Sequence, residues 1–157
     1  MNIVVLKQIT ILSALLGVGL ALLALIPFVG TFAFFALLCL VSVFVFVILT
    51  RVKVLNLISV HKSVMLGGFI GFVSFFAFAV VYLPIVAILG QFVTLYSEIL
   101  QSLVIMLKVA NFWMIFLLTI FVAILSAITN AFSGFVTYYV LEFLKTLDKN
   151  ENDEFKL

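Results

Sequence analysis

Charge is scarce in this sequence. Of its 157 residues 9% are Asp, Glu, Lys or Arg, and 68% are hydrophobic. A soluble domain carries roughly a quarter charged residues and about half apolar ones. A core of this size could not enclose so much apolar surface, so the excess must face lipid. Cysteine and histidine are almost missing. Cys39 is the one cysteine and sits inside an apolar run, which excludes an intramolecular disulfide and any thiol pair. His61 is the one histidine, in "RVKVLNLISVHKS". With no second His, Cys or carboxylate beside it, that stretch cannot supply the three or four ligands of a metal site. The same scarcity removes the usual hydrolytic machinery, which needs a His or paired acids near a nucleophile. No catalytic, cofactor-binding or metal-binding residue is therefore expected, and the chain reads as a non-enzyme. The formal net charge of +2 is too small to imply nucleic acid. It matters only through where the charges fall.

What is present is a set of long apolar runs containing nineteen phenylalanines. A bilayer core needs about 20 apolar residues in a helix. The runs predict an all-α integral membrane protein with four spans, at about 9–26, 32–49, 64–84 and 112–141. The first run is long for a signal peptide, and no small-x-small cleavage site follows it. Pro27 and Gly30 bracket a tight turn after the first span, and Pro84 closes the third. Residues 1–144 form one transmembrane domain of two hairpins. The tail 145–157, "KTLDKNENDEFKL", mixes charge signs, is rich in polar residues, and reads as solvated and flexible.

The basic residues orient the spans. Lys7 precedes the first; Arg51, Lys53 and Lys62 lie between the second and third; Lys145, Lys149 and Lys156 follow the fourth. Basic residues stay on the cytoplasmic side, so both termini are expected there. The economy of the loops suits a bacterial inner membrane. Trp113, Tyr82 and Tyr96 fall near the outer interface, where amphipathic rings prefer to sit.

Helices in lipid associate through close packing and hydrogen bonds rather than the hydrophobic effect. Small residues repeat at helical spacing in three spans: Ser13, Gly17, Ala21 and Ala24 in the first; Gly67, Gly71 and Ser74 in the third; Ser126, Asn130, Gly134 and Thr137 in the fourth. Each set falls on one stripe. The second span is bulky ("LVSVFVFVIL"). Spans one, three and four are expected to form the tight core, with the second more exposed to lipid and Phe46 on its lipid face.

Two polar positions stand out. A buried amide such as Asn130 must be hydrogen-bonded. It is expected to bond across to Ser13 or Ser74, or else to line a polar path with Ser126, Thr129 and Ser133. Glu98 lies in "QFVTLYSEILQSLVIMLKV". Read as a helix over 91–109, that stretch places Gln91, Thr94, Ser97, Glu98, Gln101, Ser102 and Lys108 in one arc of about 140°, with apolar residues opposite and Ile105 intruding. This predicts an interfacial amphipathic helix between the third and fourth spans. A fifth span over 85–109 would bury Glu98 and put the tail's lysines outside. The partners implied are the bilayer and another membrane subunit or a second copy. The function expected is that of a scaffold or accessory subunit acting through helix packing. The alternative is a small oligomeric transporter or channel with a path near Asn130 and Glu98.

Overall fold

The computed structural model describes residues 3–26, 28–52, 59–92 and 98–154. Side chains at 91–92, 98–100, 145 and 147–154 lie outside the description. The elements are six helices: α1 (Ile3–Leu23), α2 (Val29–Cys39), α3 (Val41–Arg51), α4 (Val60–Phe92), α5 (Glu98–Val109) and α6 (Phe112–Glu154). Helices are what the composition dictates, because a backbone in hydrocarbon must satisfy its own N–H and C=O groups. Within α1, α4 and α6, the segments Ile3–Leu23, Val60–Gly90 and Phe112–Leu144 are each long and apolar enough to cross a bilayer.

α4 is the axis of the bundle. α6 packs along it antiparallel: Gly71 meets Ser126, Gly67 meets Asn130 and Ala131, and Gly134 meets Ser63. α1 packs on another side of α4, with Gly17 against the Ser74 backbone. These approaches need glycine. A Cβ at Gly67 would stand 2.5 Å from the Asn130 carbonyl oxygen, and one at Gly71 would stand 2.5 Å from that of Ser126. The remaining groove is filled by α2 and α3. Their contacts descend the bundle in order. Phe34 is edge-on to Phe75 and Phe78, Ser42 is bonded to Asn130, and the Phe46 ring lies beside Gly134. α2 and α3 therefore run opposite to α4, and α1 runs with it. Lys7, Arg51 and Lys62, all exposed, consequently lie at one end.

The second apolar run departs from expectation in two ways. It is not one straight helix: α2 and α3 meet at Leu40 with a bend of 66°. Nor is it the lipid-exposed member. Ala33, Leu37, Val41, Ser42, Val45, Phe46 and Leu49 are all buried, and Phe46, expected to face lipid, is fully enclosed. Small residues let backbones approach. Bulky β-branched and aromatic residues fill a groove equally well, and α3 does so.

The region around Glu98 also differs: α4 does not close at Pro84 but runs through it to Phe92. Gln91 and Phe92 end α4, residues 93–97 (including Thr94, Tyr96 and Ser97) lie outside the described residues, and Glu98 opens α5. α5 has 12 residues, about 18 Å of helix, against the ~30 Å of a bilayer core. Val104 is buried where it meets Gly90 of α4. Gln101, Ser102, Ile105 and Lys108 are exposed, and Leu103, Met106 and Leu107 are half-buried. α6 continues as helix through Glu154, across most of the tail expected to be flexible. After Gly134 it meets no Gly or Pro to end it.

The chain reverses between α1 and α2 at Phe28, which has φ 66°. A residue with a Cβ is strained in that region. Its ring is 92% exposed.

Candidate functional site

Of four polar side chains on consecutive turns of α6, Thr129, Asn130 and Ser133 project toward the elbow between α2 and α3, and Ser126 toward α4. Ser126 and Asn130 are fully buried. Thr129 and Ser133 flank them toward the surface. The spacing of three and four residues places all four on one face.

An elbow between two apolar helices raises a backbone problem. The last turn of α2 has carbonyls without helical partners, and in hydrocarbon no water could take them. α6 supplies the donors. Asn130 Nδ2 donates to Leu37 O at 3.1 Å and to Leu38 O at 2.8 Å. Thr129 Oγ1 donates to Leu38 O at 2.6 Å, and Ser133 Oγ to Cys39 O at 2.5 Å. On the α3 side the polarity reverses. The Ser42 N–H donates to Asn130 Oδ1 at 3.0 Å, and the Ser42 hydroxyl to the Asn130 carbonyl at 3.0 Å. One amide thus addresses the carbonyl end of one helix and the N–H end of the next. The assignment of its O and N follows from chemistry. Exchanging them would aim the oxygen at Leu37, Leu38 and Ser126 carbonyls and the NH2 at an N–H donor. A last bond, from Ser126 Oγ to Gly71 O at 3.1 Å, ties the same face of α6 to α4.

Asn130 therefore joins α6 to α2 and α3, not to Ser13 or Ser74. The hydroxyls of those two serines are buried without a hydrogen-bond partner, at the α1–α4 contact where Gly17 meets Ser74. Ala21 continues the buried stripe of α1. Glu98 belongs to α5, next to α4 in the fold, and its side chain lies outside the described residues. Sequence reasoning missed Ser42 and the α2 carbonyls. Ser42 was detectable in principle, as the one hydroxyl in "LVSVFVFVIL". The carbonyls carry no sequence signal. Among the described residues no group of three or more His, Cys, Asp or Glu side chains is arranged to hold a metal.

The fold defines an all-helical protein with three helices able to cross a membrane, or four if the bent α2–α3 pair is one span. These are the features of a multi-pass membrane protein. No family model matches the chain, and neither a curated protein nor a solved structure is similar to it.

Proposed function

We propose that this chain is a small non-enzymatic scaffold or accessory subunit of a membrane, crossing it four times and acting through helix packing. The observation that carries this is the use made of its mid-membrane polar side chains. Ser126, Thr129, Asn130 and Ser133 are committed to backbone groups of neighbouring helices, which is the role of interhelical glue. α2 and α3 count as one broken span. Each has 11 residues, and at a 66° bend the pair reaches about 28 Å end to end, close to the ~30 Å hydrocarbon thickness. The end bearing Lys7, Arg51 and Lys62 is cytoplasmic by the positive-inside rule. α5 lies on the outer surface, with Gln101 and Lys108 toward the headgroups.

One observation favours the alternative of a small transporter or channel. Broken helices at mid-depth are where transporters build substrate sites, and the elbow at Leu40 is such a break. Purification of the tagged full chain in mild detergent, followed by native mass spectrometry, separates the two. A stoichiometric complex with a second membrane protein, in a preparation that leaves an ion gradient across liposomes intact, supports the scaffold. The chain alone, as monomer or homo-oligomer, dissipating that gradient overturns it.

A further inference from the structure

α2 is held differently from α3. Of its 11 residues only Ala33 and Leu37 are buried, whereas α3, of equal length, buries five. Phe32, Phe34 and Phe35 of α2 are exposed, and in lipid an exposed ring gains little by docking. The specific ties on α2 are the edge contacts of Phe34 with Phe75 and Phe78, the approach of Gly30 to Ala24 and the bonds on its last-turn carbonyls. Every donor in those bonds also has an acceptor within its own helix. Asn130 Nδ2 has Ser126 O at 3.0 Å, Thr129 Oγ1 has Leu125 O at 3.1 Å, and Ser133 Oγ has Thr129 O at 3.1 Å. Releasing α2 would strand none of them.

The carbonyls have an alternative too. In a continuous helix the N–H groups of Val41, Ser42 and Val43 would donate to the oxygens of Leu37, Leu38 and Cys39. The stretch Leu37–Phe44, "LLCLVSVF", contains neither Gly nor Pro, so nothing local forbids that continuity. Straightening gives the three carbonyls backbone donors in place of side-chain ones, and of those donors Ser42 N–H is the one that now bonds to α6. The Asn130 amide loses its Ser42 and α2 partners and keeps Ser126 O.

We propose that α2–α3 is a two-state element. It is bent while Thr129, Asn130 and Ser133 hold the end of α2, and straight when they let go, with the elbow at Leu40 as the hinge and the contacts of Gly30 with Ala24 and Ile26 released at the far end. This goes beyond the scaffold reading and stands without it. A packed element with two discrete arrangements, each supplying the α2 carbonyls with donors, is what a conformational change requires. For an arm of 11 residues, removing a 66° bend moves its far end by about 18 Å, which would open the outer half of the groove between α1 and α6.

Spin-label distances in lipid nanodiscs test this, in a Cys39→Ala background. One pair, Phe35→Cys with Phe121→Cys, reports on α2 against α6. A control pair, Val47→Cys with Phe132→Cys, reports on α3 against α6. Asn130→Val should add a second distance component to the first pair and leave the control unchanged. Thr129→Val with Ser133→Ala removes two of the bonds and leaves Asn130, so the comparison survives if Asn130→Val does not fold. The new component should grow about threefold for each bond removed. An α2–α6 distribution identical in all variants overturns the proposal. So does equal broadening of both pairs, which would be general loosening rather than a hinge.

Discussion

Asn130 and Ser42 are joined twice across 88 residues of sequence. The Ser42 N–H donates to the Asn130 side-chain oxygen and the Ser42 hydroxyl to the Asn130 backbone oxygen, both at 3.0 Å. The pair fixes the start of α3 on α6, while the amide's other end fixes the finish of α2.

Asn130→Ala removes its bonds to Leu37, Leu38 and Ser42 at once. At roughly 0.6 kcal/mol each, the average for polar contacts in membranes, the loss should be about 2 kcal/mol, with Ser42→Ala costing less than half of that. Reversible unfolding in mixed micelles measures both. Equal losses would mean the three amide bonds together are worth no more than the single Ser42 hydroxyl bond.

Asn130→Asp should behave differently with pH. A carboxylate facing the Leu37 and Leu38 carbonyls has no proton to give, whereas the acid has one. Burial penalises the carboxylate relative to the neutral acid, so stability is present at low pH and lost as pH rises. Melting temperature recorded from pH 5 to pH 9 should fall for this variant and stay flat for Asn130→Ala.

Gly71→Leu should disrupt the α4–α6 contact, because even a Cβ there meets the Ser126 carbonyl oxygen and the Asn130 side chain. We expect a loss of about 2 kcal/mol or more, seen as aggregation or a lowered melting temperature in detergent. Phe44→Leu, at an exposed position, is the matched control and should be mild. Phe46→Leu should not be mild, since Phe46 is enclosed.

Phe28→Gly should stabilise the protein. Strain at φ 66° costs on the order of 1–3 kcal/mol for a residue with a Cβ, part of which is offset by glycine's greater unfolded-state freedom. A net gain of about 1 kcal/mol raises the melting temperature by roughly 2–4 °C. Phe28→Ala keeps the Cβ and should gain nothing. A gain with alanine would show that the exposed ring, and not the backbone, was the cost.

Topology is checked by single-cysteine labelling in a Cys39→Ala background. Cysteines at Ser59 and Asn150 should resist an impermeant reagent in intact cells, while those at Phe28 and Glu98 should react. Reaction at 59 or 150 from outside reverses the orientation. A silent Glu98→Cys, joined to loss of assembly in Glu98→Gln, would mark a buried carboxylate and favour the transporter.

The membrane class and the glycine contacts of α4 with α1 and α6 were legible from residue chemistry alone. Apolar runs of sufficient length can only be helices in a bilayer, and Gly17, Gly67, Gly71 and Gly134 stand at helical spacing because backbones that touch cannot carry side chains between them. The two-faced character of α5 is a matter of 100° per residue, and the exposure of Gln101, Ser102 and Lys108 follows the same arc. The need of Asn130 for partners was also readable, from the cost of an unbonded amide in hydrocarbon.

The elbow at Leu40 was not readable, and neither were the partners of Asn130. Local sequence around Leu40 has no helix breaker, so by propensity the second run is one straight helix. The bend exists because donors 91 to 94 residues away take the carbonyls of Leu37, Leu38 and Cys39. Such bonds depend on which helix lies in the groove of α6, and hydropathy, which is a property of each segment by itself, carries no information about neighbours. The same reason sends Phe46 inward. Its side chain is equally content in lipid or in a groove, and only the open space beside Gly134 decides.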